Sequence, residues 1–238
     1  MAKAAGEQSP TTVKIENGAN DATIYLYGVI DEYWGVSAQA VATALTSLPQ
    51  GIETLHVRIN SPGGDVFEAR AIKTLIEQHS AAKKIAHVDG IAASAASFVM
   101  MAADEIEASK GAMIMVHNAW SVCWGNKHDM RTTADLLDKI DETLIADYAK
   151  KTGKAKSVVT GWIDAETWFE AQEALDAGLI DRVFEKDAVD NRFDLSAYKN
   201  VPKALAERTK TTEADDEKLA GLRAAYHARL RLIETTLN

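Results

Sequence analysis

Short strand-like and helix-like segments alternate along this chain, and this alternation limits the folds open to it more than any other feature. Residues 22–29, 54–59 and 84–88 are short and rich in β-branched, aromatic or alternating apolar residues, a pattern typical of strands. Residues 38–48 and 66–79 lie between them and carry apolar side chains three and four positions apart, as amphipathic helices do. Strand, helix and strand in succession predict βαβ units. We therefore predict an α/β fold with a mainly parallel sheet.

The pattern changes twice towards the C-terminus. Residues 127–151 repeat apolar side chains at helical spacing and predict one long helix, whereas the regular pattern breaks up after residue 186. We predict a flexible segment over 1–20, one main domain over 21–186, and a linker with a C-terminal amphipathic helix over 187–238. The apolar stripe of that last helix packs either on its own domain or, as we favour, on a partner or another copy of the chain.

The composition limits the class of partner. Of 238 residues, 47% are apolar, which is enough for a substantial core, and the formal net charge is -9. An acidic chain lacks the basic surface that nucleic acids and anionic membranes require, so we expect neither as a partner. The polar N-terminal stretch does not resemble a signal peptide, and no apolar run approaches the roughly 18 residues of a membrane span. With Cys123 as its single cysteine, the chain has no internal disulfide, and we expect a cytoplasmic protein.

A run of small residues, VDGIAASAASFVMM, surrounds Ser94. The change from strand-like to helix-forming residues places Ser94 at a strand-to-helix turn, where its hydroxyl can stand free beside a helix N-terminus. Unpaired N–H groups at that terminus can stabilise a developing negative charge. A tight contact between a helix and the sheet would need the same small residues, so this segment alone allows both interpretations.

A serine nucleophile needs a base within hydrogen-bonding reach, and His117 is the strongest candidate among the six histidines. It follows the apolar segment AMIMV, at the edge where the carboxyl ends of parallel strands gather. A structural role for this histidine is the alternative. A third group has to orient the imidazole, and Asp164 and Glu166 are both candidates. Cys123 is a weaker candidate nucleophile, because nothing near it in the sequence indicates activation.

Backbone amides near Ser94 are the candidates for an oxyanion hole. Gly63 and Gly64, in the turn NSPGGD, can direct their N–H groups into a site because glycine tolerates unusual backbone angles. The N–H of Ala95 directly follows the candidate nucleophile. The sequence contains no phosphate-binding loop, no HExxH motif and no cysteine spacing typical of metal sites, so we expect neither a metal nor another cofactor.

Four ordered blocks stand at compatible spacings between residues 22 and 185: INSPGGDVFEARAI, DGIAASAASFVMMAADE, AMIMVHNA and AETWFEAQEALDAGLID. Together they resemble the Clp protease proteolytic subunit family of serine peptidases. More closely, they are similar to the ClpP-related proteases of phage head-maturation modules. The resemblance implies Ser94 as nucleophile, His117 as general base, and the N–H groups of Gly64 and Ala95 as oxyanion donors.

The third catalytic residue of that family is an aspartate, and this chain departs from the pattern. The corresponding position, counted back from Gly178, holds Glu166, whose side chain is one methylene longer. We favour Glu166 as the third residue, with Asp164 as its substitute. A second departure adds a hydroxyl at Ser97, which we expect to pack within the helix.

The resemblance also implies an architecture and partners. The family has a crotonase-like core of repeated βαβ units, and residues 127–151 fit the protruding long helix through which its members build rings. Such rings are homo-oligomeric, usually heptameric and often stacked in pairs, and they admit unfolded polypeptides. The implied substrates are phage scaffold, portal or capsid proteins, and an ATPase partner is implied for Clp peptidases proper.

Two other functions stay open at this point. A crotonase-type enzyme acting on an acyl-CoA would share the fold and the oxyanion donors, but it needs no pair of serine and histidine. A non-catalytic, ring-forming assembly protein is kept open by Glu166, the glutamate at the expected aspartate position. The distances among the candidate catalytic side chains discriminate between these hypotheses.

Overall fold

A computed structural model of the chain describes residues 13–185 and 193–208. The strands are β1 (Lys14–Asn17), β2 (Asp21–Tyr27), β3 (Thr54–Ser61), β4 (Lys83–Ala93), β5 (Glu105–Ser109), β6 (Met113–Val116), β7 (Thr167–Glu170) and β8 (Arg182–Phe184). The helices are α1 (Ala38–Ser47), α2 (Val66–Gln78), α3 (Ala95–Val99), α4 (Lys127–Thr152), α5 (Lys156–Asp164), α6 (Ala171–Ala177) and α7 (Lys203–Arg208), and a 3-10 turn, Met100–Ala102, extends α3. The predicted alternation of strands and helices is confirmed.

The strands form one sheet in the order β1-β2-β3-β4-β5-β8, from which β6 and β7 branch off. Strands β2, β3, β4, β5 and β8 run parallel, as βαβ connections require. The two antiparallel pairs are β1 with β2 and β6 with β7. The sheet is thus mainly parallel, as predicted, with antiparallel additions at the edge and at the branch.

Strand β4 is the branch point of the sheet. Its first half pairs with β5, and its second half, Ile91 to Ala93, pairs with β6. The sequence predicted a shorter strand, ending at Val88. The carboxylate of Asp89 is instead paired with Arg58 on β3 and accepts a hydrogen bond of 2.7 Å from the Tyr27 hydroxyl on β2, so the strand continues through a polar residue.

The two faces of the sheet differ in chemistry, as the two-residue period of a strand allows. One face meets the helices and forms the main apolar core, whose fully buried side chains include Ile24, Leu55, Ile59, Ile72, Ile106 and Ile114. On the other face a hydrogen-bond chain runs between strands: His56 Nδ1 lies 2.8 Å from His87 Nε2, and His87 Nδ1 lies 2.5 Å from Glu107 Oε1. These histidines are satisfied within the sheet.

Helix α4 is 26 residues long, and only its C-terminal half is anchored in the core through Ile140, Leu144 and Tyr148. It begins at a capping box formed by Asn126 and Asp129, and Gly153 ends it in the left-handed conformation. Its N-terminal half is largely exposed, so the predicted long helix is confirmed and protrudes from the body. Within the described residues, no helix combines the length and apolar character that a membrane crossing needs.

Two predicted boundaries are corrected by the structure. Part of the N-terminal segment assigned to 1–20 forms β1, which pairs with β2, and Val13 before it is buried. Part of the segment predicted as a linker, residues 193–208, instead packs against β4, β6 and β7 and ends in α7. Both errors arise because short, polar sequences carry little periodicity although a few apolar side chains suffice to dock them. The C-terminal amphipathic helix, which the apolar spacing predicts over residues 218–237, lies outside the described residues.

Candidate active site

Ser94 and His117 meet because their strands are neighbours. Strands β4 and β6 are parallel, with Ala93 opposite Met115, and Ser94 and His117 are the first residues beyond their carboxyl ends, so both lie at the same edge of the sheet. Ser94 Oγ and His117 Nε2 are 2.7 Å apart, which is hydrogen-bonding distance. The structure therefore brings together the two side chains that the sequence singled out for nucleophile and base.

The backbone at Ser94 is strained. Its φ of 53° and ψ of -126° lie in a region that non-glycine residues rarely occupy, at a cost on the order of 1–3 kcal/mol. This turn between β4 and α3 lifts the hydroxyl away from both elements, as a nucleophile elbow does. Gly63 lies directly against it, because a Cβ at Gly63 would stand 2.6 Å from the Ala93 carbonyl oxygen and 2.7 Å from Ser94 Cβ. Only glycine fits there.

The two amides expected for the oxyanion hole are uncommitted within the described residues. Ala95 is the first residue of α3, where no helical carbonyl lies within reach of its N–H group. Gly64 has a φ of 146°. Its neighbours Gly63 and Asp65 make the two hydrogen bonds of the parallel bridge to Ile30, and its own N–H donates none among the described residues. The N–H of Gly63 is already bound to Ser61 Oγ at 3.1 Å. Of the two glycines considered, Gly64 is thus the one with a free donor.

Two buried hydroxyls, those of Ser97 and Tyr148, support the turn at Ser94. Ser97 Oγ donates to the Ser94 carbonyl oxygen at 2.7 Å, and the Tyr148 hydroxyl lies 2.7 Å from Ser97 Oγ. Since the Ser97 proton is used on the carbonyl, Tyr148 is the donor of the second bond. Ser97 is fully buried, as predicted for a packing residue, but it also ties the backbone of Ser94 to α4. Sequence analysis missed Tyr148 because its partner lies 51 positions away.

The register of β6 and β7 distinguishes between the two candidate acids. Val116 stands opposite Thr167, so the next antiparallel position sets His117 beside Glu166, whose φ is 48°. Among the described residues, however, no hydrogen bond joins His117 to either acid. Glu166 Oε1 instead accepts from the N–H of Asn200 at 2.6 Å, and Asp164 Oδ1 accepts from Asn118 Nδ2 at 3.0 Å.

Burial lowers the pKa of His117 below its ordinary value of 6.5, and the charge of Glu166 opposes that shift by raising it. The imidazole is consequently neutral, and able to accept a proton, over most of the physiological pH range. The ring of Tyr198 packs against it edge-on, with centroids 5.4 Å apart at 87°. Burial raises the pKa of Tyr198, and an interaction of its oxygen with the Ser94 hydroxyl acts in the opposite direction.

A cavity of about 290 Å³ opens beside Ser94 and His117. Its wall on the side of α4 is apolar and includes Leu137, Ile140 and Leu144. Such a cavity can hold an apolar side chain next to the Ser94 hydroxyl. Cys123 is not part of it, and its Sγ accepts a hydrogen bond of 3.0 Å from Thr133 instead.

Comparisons with known proteins show the family of the chain. The family model for Clp protease matches residues 8–187. The chain belongs to the Clp protease family. The ATP-dependent Clp protease proteolytic subunit of Bacteroides fragilis is 30% identical over 169 residues, which cover 70% of this chain and 80% of the relative. The ATP-dependent Clp protease proteolytic subunit 1 of Prochlorococcus marinus is 31% identical over 139 residues, or 58% of this chain and 70% of that one.

The fold of this Clp protease family member is also found among solved structures. A mutant of ClpP1 from Listeria monocytogenes matches with a TM-score of 0.60 at 21% sequence identity, covering 69% of this chain and 91% of that chain. The predicted ClpP-like α/β fold is therefore confirmed. The matched family region begins at residue 8, which agrees with the finding that the domain starts before the predicted boundary at residue 21.

Proposed function

We propose that this member of the Clp protease family is a serine endopeptidase in which Ser94, His117 and Glu166 form the catalytic triad. The observation that carries the proposal is the 2.7 Å separation of Ser94 Oγ and His117 Nε2 at neighbouring strand ends. The strained turn at Ser94 and the neutral state favoured for His117 support the same roles. Serine is a weak nucleophile on its own, and an adjacent neutral imidazole supplies the base that it needs.

The proposed reaction proceeds in two stages. His117 takes the proton of Ser94 as Oγ attacks the carbonyl carbon of the scissile peptide bond, and the N–H groups of Gly64 and Ala95 stabilise the resulting oxyanion. His117 then returns the proton to the leaving amine, which leaves an acyl group on Ser94. A water molecule, deprotonated by His117, hydrolyses that ester and regenerates the free serine.

Glu166 is the proposed orienting acid. The β6–β7 register sets it beside His117, and it is the carboxylate whose charge raises the pKa of the imidazole. In its proposed role, Glu166 accepts a hydrogen bond from His117 Nδ1 and stabilises the imidazolium that forms. Asp164 is the last residue of α5, outside the register of β6 and β7, and is the weaker candidate.

The proposed substrates are polypeptides with an apolar side chain at the cleavage position, because the cavity beside Ser94 has an apolar wall. Following the motif resemblance, we propose phage scaffold, portal or capsid proteins as natural substrates and the host cytoplasm as the location. A homo-oligomeric ring, with or without an ATPase partner, is the proposed working form. The protruding half of α4 offers the contact surface for it.

The crotonase alternative has less support. An acyl-CoA enzyme of that type would use the oxyanion amides but has no need for a hydrogen bond between Ser94 and His117. The geometry of these two side chains therefore favours covalent catalysis by serine. A non-catalytic assembly protein is the remaining alternative, and a chemical test separates it from a peptidase.

Labelling with a fluorophosphonate probe tests the proposal, since such probes react with activated serines. We expect the purified protein to be labelled at Ser94 and the Ser94→Ala variant to remain unlabelled. We expect His117→Ala to reduce the labelling rate by a factor on the order of 10³ or more, because the hydroxyl loses its base.

Ser157→Ala is the matched control, because this serine is exposed on α5, and it should be labelled at the unsubstituted rate. Labelling that persists in Ser94→Ala would move the nucleophile elsewhere. If neither the unsubstituted protein nor any variant described below is labelled, the non-catalytic alternative is correct.

A further inference from the structure

A segment outside the repeated βαβ core lies against the proposed catalytic residues. Residues 193–205, here named the strap, are anchored by Leu195 and Leu205, which are 3% and 8% exposed. These side chains form a small apolar cluster with residues of β4 and β6, among them Ala93 and Met115. Since Ser94 and His117 follow those two strands, the cluster holds the strap directly beside the catalytic pair.

The central side chain of the strap is Tyr198. Its ring packs edge-on against His117 and, at 5.9 Å between centroids, against Trp168. Its hydroxyl donates to the Pro62 carbonyl oxygen at 2.5 Å and interacts with the Ser94 hydroxyl. Pro62 directly precedes the two glycines of the oxyanion loop. Tyr198 therefore contacts the imidazole of His117 and the backbone of the oxyanion loop, and it lines the cavity beside Ser94.

A second strap residue, Asn200, binds the carboxylate of Glu166, the proposed orienting acid. The backbone N–H of Asn200 donates to Glu166 Oε1 at 2.6 Å, and its side-chain Nδ2 donates to the Ala165 carbonyl oxygen at 2.8 Å. With the strap in this position, Glu166 makes no hydrogen bond to His117 among the described residues. The strap thus engages all the proposed catalytic side chains, two through Tyr198 and one through Asn200.

We propose that the strap is an autoinhibitory segment, and that a polypeptide reaches Ser94 only after the strap has lifted away. The inference rests on the proposed peptidase function. A peptide chain has to reach Ser94 through the cavity beside it, and Tyr198 of the strap lines that cavity. Lifting the strap widens the access to Ser94 and also frees Glu166 from Asn200 to orient His117, so access and activation are coupled.

The anchoring of the strap is light enough for such a change. Within the part of the chain that the structure describes, residues 193–202 form no strand pairing with the sheet, and Tyr198, Asn200 and the small apolar cluster hold the segment by side-chain packing and single hydrogen bonds. Among the described residues, Trp168 Nε1 is buried in that cluster without a hydrogen-bond partner. An unpaired buried donor disfavours the covered arrangement. A ligand that binds only the open form can therefore displace the strap.

A graded series of variants in the full chain tests the proposal. Tyr198→Phe removes only the hydrogen bonds, and Tyr198→Ala also removes the ring contacts with His117 and Trp168. We expect the rate of fluorophosphonate labelling at Ser94, and the rate of cleavage of an unfolded protein such as casein, to rise in that order. The gain in Tyr198→Ala should be about tenfold or more, since the rate scales with the open fraction. Lys199→Ala, exposed on the same segment, is the matched control and should leave both rates unchanged.

If Tyr198→Ala is labelled no faster than the unsubstituted protein, with its fold intact by circular dichroism, the autoinhibitory role of the strap is wrong but the proposed function stands. A change in peptide preference without faster labelling also overturns the autoinhibitory role, because Tyr198 would then be a fixed wall of the substrate site. If neither the unsubstituted protein nor any variant is labelled, both the peptidase function and the autoinhibitory role of the strap are wrong.

A measurement on the unsubstituted protein does not depend on the folding of any variant. We expect a peptidyl phosphonate bound covalently to Ser94 to increase amide hydrogen exchange in residues 193–205 by about tenfold or more. Exchange in α2, which lies on the main core, should stay unchanged. Unchanged or slower exchange in the strap after labelling would show that it remains in place, and would overturn the proposal.

Discussion

At the scale of single residues, the imidazole of His117 decides how the proposed site responds to pH. Burial lowers its pKa below 6.5, and Glu166 raises it. The imidazole acts as a base only when neutral, so the reaction rate should rise with pH along an acid limb whose midpoint lies below 6.5.

Replacing Glu166 by glutamine tests whether the charge of Glu166 raises the pKa of His117. Without the negative charge, the pKa of His117 falls further, so we expect the acid limb of the labelling rate to move to lower pH. The maximal rate should also fall, by about tenfold or more, because the imidazolium loses its stabilising partner. The pH dependence of fluorophosphonate labelling measures both. Asp164→Asn is the matched control and should leave the limb in place; a limb that moves to higher pH in Glu166→Gln contradicts the assignment.

At the scale of elements, α3 and α4 hold the strained turn at Ser94 through one chain of hydroxyls. Ser97 binds the Ser94 carbonyl, and Tyr148 of α4 donates to Ser97, with both side chains buried. A strained backbone persists only where its surroundings hold it in place. The long helix therefore contributes to the geometry of the proposed nucleophile as well as to the protruding surface.

Removing the Ser97 hydroxyl leaves the Tyr148 hydroxyl buried without its partner. We expect Ser97→Ala to reduce the free energy of unfolding by about 1–3 kcal/mol, measured by urea denaturation. The double variant Ser97→Ala with Tyr148→Phe removes both groups and should regain part of that loss. Ser157→Ala, at an exposed helix position, should change stability by less than about 0.5 kcal/mol. If the single variant is as stable as the parent, the hydroxyl chain does not support the turn.

At the scale of the whole molecule, the surface before and along α4 is unusually apolar. Val122 and Trp124 are 67% and 66% exposed, and Met130 and Leu136 on the protruding half of the helix are also exposed. Exposed apolar patches on soluble proteins mark contact surfaces. This patch is the proposed contact between copies of the chain in a ring.

Charged substitutions in the patch test that assembly. We expect Val122→Asp and Trp124→Asp to shift the protein to smaller species in sedimentation velocity, because a carboxylate would have to be desolvated at the contact. Val158→Asp places the same charge at another exposed valine, 43% accessible on α5, and should sediment like the parent. Identical sedimentation of all three variants and the parent would place the contact between copies elsewhere.

Most local features of this molecule could be predicted from the sequence. The strands and helices, the end of α4 at Gly153 and the position of Ser94 after a strand follow from periodicity and from glycine conformation, which act over a few residues. The proximity of Ser94 and His117 followed from one further rule, that the carboxyl ends of parallel strands meet at one edge. The predicted pairing is therefore a consequence of short-range patterns and simple topology.

The rest was decided by tertiary structure. The continuation of β4 to the branch point depends on the pairing of Asp89 with Arg58 and Tyr27. The position of Glu166 beside His117 depends on the register between β6 and β7. The docking of the strap depends on apolar residues of strands about 80 to 110 positions away in the chain. Such contacts join residues far apart in the chain, and their separation leaves no periodic pattern in the sequence. The sequence alone therefore determined where the proposed nucleophile and base stand, and packing decided which acid and which segment lie beside them.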